Sequence, residues 1–266
     1  MTGGAVRHRF AWNCAASLSA VLVIAAATWQ VRAFGAVRGS ALYGDSAGRT
    51  VTAVEIDGGA AEVSVTPRGD GLVGYRARVG WTVREPVIEQ TWHGDTLRLT
   101  PRCAAVAGVA TDPGCSVRLT VTVPAGIAVK VSGGSGKVSV TGLDGAVDAE
   151  VDSGTLTLSA LRGPLRAHVG SGELRATGLA SPQAEIRADS GRADAAFEAP
   201  PDRVTGRVGA GRLLLTLPEE ARYRVRSSAG AGRSEVADSL GDPASPRTLD
   251  LTAESGHATA RYLDPT

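Results

Sequence analysis

Gly133-Gly134-Ser135-Gly136-Lys137 is the stretch of the sequence closest to a reactive motif. A phosphate loop uses such glycines to bring backbone N–H groups onto an anion, with the lysine reaching the outer phosphates. Here the pattern fails at both ends. Val131 occupies the place of the first glycine, and Val138 replaces the Ser or Thr that would hold a magnesium ion. The residues after Lys137 alternate as a strand, so no helix N-terminus follows to stabilise a phosphate. Ser153 and Ser171 lie in Ser-Gly steps of the same kind and not in the G-x-S-x-G elbow of a hydrolase.

The other chemically capable residues are dispersed. His8, His93, His168 and His257 show no ligand spacing. Asp148, Glu150 and Asp152 alternate and therefore face one side of a strand, where they could hold a divalent cation weakly. A solvated outer face balanced by neighbouring charges is the simpler reading. Arg192, Arg212 and Arg233 likewise offer either a basic stripe or a solvated face. No residue is assigned a catalytic, cofactor-binding or metal-binding role. Cys103 and Cys115 close a short loop and are expected to pair in an oxidising compartment. On the chain-entropy model such a loop contributes about 3 kcal/mol. A metal pair competes with that reading, but no His or further Cys lies nearby to complete a tetrahedral site. Cys14 belongs to a different segment, and Ala11-Trp12-Asn13 before it is not a lipobox.

What positions these residues is a repeat. A Ser-Gly step recurs at Ser135-Gly136, Ser153-Gly154, Ser171-Gly172 and Ser190-Gly191, weakens to Ala210-Gly211 and Ala231-Gly232, and returns at Ser255-Gly256. The intervals are 18, 18, 19, 20, 21 and 24 residues. A short strand of period two stands on each side of most steps: Val147, Ala149 and Val151 alternate with Asp148, Glu150 and Asp152, and Leu156 and Leu158 alternate with Thr155 and Thr157. Glycine corners such as Gly142-Leu143-Asp144-Gly145 separate one copy from the next. Such a unit cannot bury its own apolar face and must stack on its neighbours. The reading is an all-β chain, a parallel β-solenoid of about 18–24-residue coils.

The register follows from aligning the Ser-Gly steps. Lys130, Asp148, Arg166 and Glu185 then form one outward column of alternating sign, which cross-strand neighbours favour. Val129, Val147, Leu165 and Ala184 form an inward column, and Val131, Ala149, Ala167 and Ile186 form another.

Residues 10–31 carry no charge and are flanked by Arg9 and Arg32. At about 1.5 Å per residue they make roughly 33 Å of helix, enough for a hydrocarbon core of about 30 Å. They are expected to form a transmembrane helix or uncleaved signal anchor that touches the lipid bilayer. A signal peptide cut near Ala25-Ala26-Ala27 is the rival. The expected organisation is a cytoplasmic tail (1–9), the helix (10–31), a juxtamembrane linker (32–50), a β-rich N-terminal part (51–131) and the repeats (132–263). The expectation is a single-pass protein of the cell membrane, with the N-terminus cytoplasmic and the C-terminal domain extracytoplasmic. With net charge +1, no global field steers the chain to nucleic acid. Aromatic residues are only 4% of the chain, which suits thin regular layers of small apolar residues better than a ring-filled enzyme core.

The run Val-Ser-Gly-Gly-Ser-Gly-Lys-Val-Ser-Val-Thr-Gly-Leu at 131–143, the repeated Asp-Ser-Gly and Gly-Ser-Gly steps, and Thr-Val-Pro-Ala-Gly at 122–126 resemble the bacterial putative-adhesin family. These are extracytoplasmic domains of unknown function related to autotransporter-adhesin head domains. The resemblance spans about residues 50 to 263. It implies a solenoid-like fold on the cell surface and brings no catalytic residue with it. The expected function is therefore a non-catalytic, adhesin-like binding or structural module whose partner is a cell-envelope or surface ligand, protein or glycan. An envelope-stress or signalling accessory acting through membrane partners is the alternative. A carbohydrate-active enzyme would need a carboxylate pair in a groove, for which these units look too short.

Overall fold

The computed structural model describes residues 37–46, 48–105, 112, 114–219 and 221–263. Period-two alternation makes nearly all of it strand. In chain order the strands are β1 (Arg38–Asp45), β2 (Ala53–Asp57), β3 (Glu62–Arg68), β4 (Gly74–Trp81), β5 (Val87–His93), β6 (Thr96–Arg102) and β7 (Ser116–Pro124). There follow β8 (Ala128–Gly133), β9 (Lys137–Thr141), β10 (Val147–Val151), β11 (Thr155–Ser159), β12 (Leu165–Val169), β13 (Glu173–Leu179) and β14 (Gln183–Ala188). The last are β15 (Arg192–Phe197), β16 (Arg203–Val208), β17 (Arg212–Leu217), β18 (Arg224–Ala229), β19 (Arg233–Val236), β20 (Thr248–Ala253) and β21 (His257–Tyr262). They form two sheets, ordered β1-β4-β7-β3-β9-β11-β13-β15-β17-β21-β19 and β18-β20-β16-β14-β12-β10-β8-β2-β6-β5. Inward residues of both sheets make one core of Val, Leu, Ile and Ala, with Phe197 and Tyr223 as its largest rings.

From β8 to β17 successive strands alternate between the sheets, and each pairs in parallel with the strand two places on. The outward column reads Glu55, Lys130, Asp148, Arg166, Glu185 across paired strands, as the aligned repeats require. The inward columns through Val129, Val147, Leu165 and Ala184 and through Val131, Ala149, Ala167 and Ile186 are buried.

The Ser-Gly corners connect a strand of the second sheet to the next strand of the first. Their glycines are not in the left-handed region; a close approach of backbones requires them. A Cβ on Gly154 would lie 1.9 Å from the carbonyl oxygen of Gly136, and one on Gly172 would lie 2.0 Å from that of Gly154. That same carbonyl of Gly154 accepts the N–H of Glu173 at 3.0 Å. Positive φ occurs instead at the opposite corners, at Gly142 (69°) and Gly178 (61°).

The expectation of a parallel β-solenoid is overturned by the sheets, which are mixed. β1 and β4 run antiparallel to their neighbours, and β5 runs antiparallel to β6. The cause is local. Only Gly94 and Asp95 join β5 to β6, Gly94 has φ 61°, and a two-residue loop can join only antiparallel strands. Arg38–Asp45, expected as linker, is the edge strand β1. Strand order also departs from chain order at the far end, where β20 and β21 lie between β16–β17 and β18–β19. Packing explains that insertion. Leu249, Leu251 and Ala253 are buried, and Gly206 leaves the space that Leu251 fills, since a Cβ there would stand 2.8 Å from its Cδ1. β18 and β19 are mostly exposed and carry Arg224, Arg226, Ser228 and Arg233, so they suit the open end, where charge discourages further strand pairing.

The membrane expectation is corrected as well. Residues 1–9 and the apolar segment 10–31, with its bilayer contact, lie outside the described residues. Among the described residues no helix is long and apolar enough to cross a membrane; the helical element they contain is a 3-10 turn at Asp238–Leu240. Single-pass placement in a cell membrane has no support in the structure.

Candidate functional site

Two outward faces present the side chains that could meet a ligand. On the second sheet, charges are largely compensated across strands. Arg207 reaches Glu185 at 2.9 Å, and Arg166 reaches the same carboxylate at 3.7 Å. His168 lies between Glu150 (3.2 Å) and Asp189 (3.1 Å), and Arg187 holds Asp189 at 2.9 Å. The hydrogen bond from Arg187, followed by that from His168, draws the Asp189 carboxyl below its ordinary range although partial desolvation opposes it. Asp148 and Glu150 share this face, whereas Asp152 belongs to the corner after β10. Among the described residues no group of three His, Cys, Asp or Glu could hold a metal ion.

The first sheet differs. The outward residue that follows each Ser-Gly corner is Glu173, Arg192, Arg212, His257 and Arg233 on consecutive neighbouring strands. His257 enters this row because β21 is inserted, which chain order does not suggest. Arg192 and Arg212 have no ion-pair partner among the described residues. Arg233 and His257 share Glu235, at 3.6 and 3.7 Å. The corners beside the row form an open trough of about 780 Å³, and no carboxylate lines it. Ser171, Ser190 and Ser255 stand exposed along it, and Gly172, Gly191 and Gly256 make its floor. Ser135-Gly136 and Ser153-Gly154 continue the same corner column toward the N-terminal end, beyond the basic row.

Cys103 and Cys115 are disulfide-bonded, with Cα atoms 6.0 Å apart. The bridge stands far from the basic row in the strand order, beside β6 and β7. Close to it is a residue that sequence reasoning missed. Asp112 is buried, and its Oδ2 accepts the backbone N–H groups of Thr82 (3.1 Å), Val83 (2.7 Å) and Arg84 (3.2 Å), while Oδ1 accepts that of Gly114 (2.9 Å). It pins the cystine loop to the turn after β4. An Asp-Pro-Gly step beside a cysteine is the only trace of this in the sequence.

No family model matches the chain, and no curated protein matches it. Solved structures do. A putative adhesin from Parabacteroides merdae aligns with TM-score 0.50 at 12% identity, over 85% of this chain and 97% of that one. The chain shares the fold of that structure. A putative adhesin from Bacteroides fragilis (TM-score 0.43, 14% identity, 84% of this chain and 97% of that one) and a putative cell adhesion protein from Clostridium sporogenes (0.42, 10%, 86% and 100%) are also similar.

In this fold the stability contributed by Asp112 depends on pH. Four backbone donors, Val83 foremost, hold its carboxyl well below the ordinary aspartate range. A depressed folded-state pKa contributes stability that is present above the unfolded value of about 4 and is lost as pH falls toward the folded value. Asp112→Asn is therefore expected to melt below the parent protein at pH 7, and the gap should close on acidification below about pH 4. Melting curves at both pH values measure it; a gap independent of pH would mean that the ionised carboxylate is not what holds the loop.

Proposed function

We propose that this chain is a non-catalytic, adhesin-like binding or structural module that holds a surface ligand, protein or glycan, against a sheet face. The observation that supports it is the geometry of those faces. Parallel ladders set solvent-facing side chains in straight rows about 4.8 Å apart, which gives many modest contacts along an extended partner. The fold likeness to a structure described as a putative adhesin agrees with this reading. The test is to immobilise the full chain, pass surface glycans and surface proteins over it, and recover what binds for analysis. Saturable binding with the ligand recovered unchanged is expected. Reproducible cleavage of a bound glycan or protein would overturn the non-catalytic reading, and absence of binding across the panel would overturn the binding role.

A further inference from the structure

Like charges on directly paired strands repel, and stacking them costs the fold stability. The second sheet avoids this through Glu55, Lys130, Asp148, Arg166 and Glu185, and where it stacks Arg187 on Arg207 each has a carboxylate of its own, Asp189 and Glu185. The first sheet does not. Arg192, Arg212, His257 and Arg233 stand side by side, exposed or half-exposed, on four neighbouring strands. Glu173 is spent on Arg175 at 2.8 Å, and Glu235 serves only the His257–Arg233 end. Asp189, which precedes the Ser190-Gly191 corner, turns the other way and bonds Arg187 and His168 on the opposite sheet. The result is a trough lined by no carboxylate, with the basic residues Arg192, Arg212, His257 and Arg233 on one bank and exposed hydroxyls and glycine backbone on the other.

We propose that this trough binds a linear acidic polysaccharide carrying one carboxylate per sugar ring, laid across the strands with its carboxylates on Arg192, Arg212 and Arg233 and with His257 beside them. The inference rests on the binding-module reading and specifies its ligand. The lining selects the class. The basic side chains stand about 4.8 Å apart, one per strand, so a chain that crosses the strands meets them in succession. An acidic peptide backbone has no hydroxyls to offer the serine bank formed by Ser171, Ser190 and Ser255. Single-stranded nucleic acid is bound by proteins that stack bases on aromatic rings, and no aromatic residue lines this trough. The serine hydroxyls and the peptide groups of the glycine floor suit the hydroxyls of a sugar.

The experiment titrates fluorescent oligogalacturonate with the full chain at low salt, beside its methyl-esterified form, polyglutamate and oligothymidylate. Binding of the acid form alone, weakening as salt is added, is expected. Arg192→Gln with Arg212→Gln should weaken it by about tenfold or more. Arg78→Gln with Arg203→Gln removes the same charge from two exposed arginines elsewhere and should leave affinity within about twofold. Equal loss in both double variants, equal affinity for polyglutamate or oligothymidylate, or no binding of the acid form would each overturn the proposal. In those cases saturable capture of some other ligand on the surface panel keeps the module reading standing, whereas an empty panel removes that reading instead.

Discussion

Val151→Asp is expected to abolish cooperative unfolding, while Asp148→Lys, three residues earlier on β10, lowers the melting temperature only slightly. Val151 is fully buried, between Gly133 and Val169 in its own sheet, with Ala188 next in the column. An aspartate there loses the roughly 1.5–3 kcal/mol of apolar burial of the valine. It also brings a carboxyl group with no partner, at about 2–7 kcal/mol even if it takes up a proton. Total stability of about 5–15 kcal/mol barely covers that. Because β10 is paired on both sides, the lesion spreads to β8 and β12. Asp148 faces outward between Lys130 and Arg166, and exposed charge pairs contribute only about 0.2–1 kcal/mol each. Its replacement should be partly rescued by salt. Thermal unfolding followed by far-UV circular dichroism separates the two; similar melting of both variants would contradict the inward and outward assignment of β10.

That assignment could be read from the sequence because the repeat length hardly varies between Ser135 and Gly191. With nearly constant length, alternation fixes which residues face inward, and aligning the Ser-Gly steps fixes which strands are neighbours. Lys130, Asp148, Arg166 and Glu185 therefore fall where the structure has them. Beyond Gly191 the interval grows, and growth is the visible sign of a changed path. It does not say that β20 and β21 return inside β18 and β19, because that choice is made by packing: Leu251 over Gly206 is better buried than Ser227 would be. The basic row depends on this step, since chain order alone puts Arg233 beside Arg212 and leaves His257 outside them. The antiparallel N-terminal strands escaped for the opposite reason. The Gly94-Asp95 turn sets β5 antiparallel to β6, and residues 72–101 lack the regular interval from which neighbouring strands can be read. Asp112 acts through backbone donors, which leave no mark in side-chain spacing.

Gly154→Ala carries the other large effect. A single methyl group at this corner is expected to cost about 3 kcal/mol, more than most exposed substitutions by far. The glycine does not have positive φ, so alanine is not excluded by its own backbone conformation. What excludes it is the neighbouring corner: the new Cβ would lie 1.9 Å from the oxygen of Gly136 and 3.0 Å from the carbonyl carbons of Gly136 and Ser135. Backbone cannot rotate aside as a side chain can. The two corners must separate, and the hydrogen bond from the N–H of Thr155 to Gly136, 3.2 Å long, weakens with them. Gly154 is itself the surface against which Gly172 packs, at 2.0 Å from an added Cβ to its oxygen, so displacement passes along the column to Gly191 and Gly211. The matched control is Ser153→Ala, an exposed neighbour in the same step, expected within about 0.5 kcal/mol of the parent. Urea denaturation of both variants gives the comparison through the shift in midpoint at constant slope. Equal midpoints would mean that the corners are looser than the structure has them. A large shift for Gly154→Ala alone makes the Ser-Gly step a packing device in which glycine sets the distance between strands. The arginine row of the trough inherits its spacing from that distance. A Cβ on Gly211 would lie 1.9 Å from the oxygen of Gly191, so Gly211→Ala should weaken binding of any ligand that depends on Arg192 and Arg212 standing one strand apart, without touching a charged group.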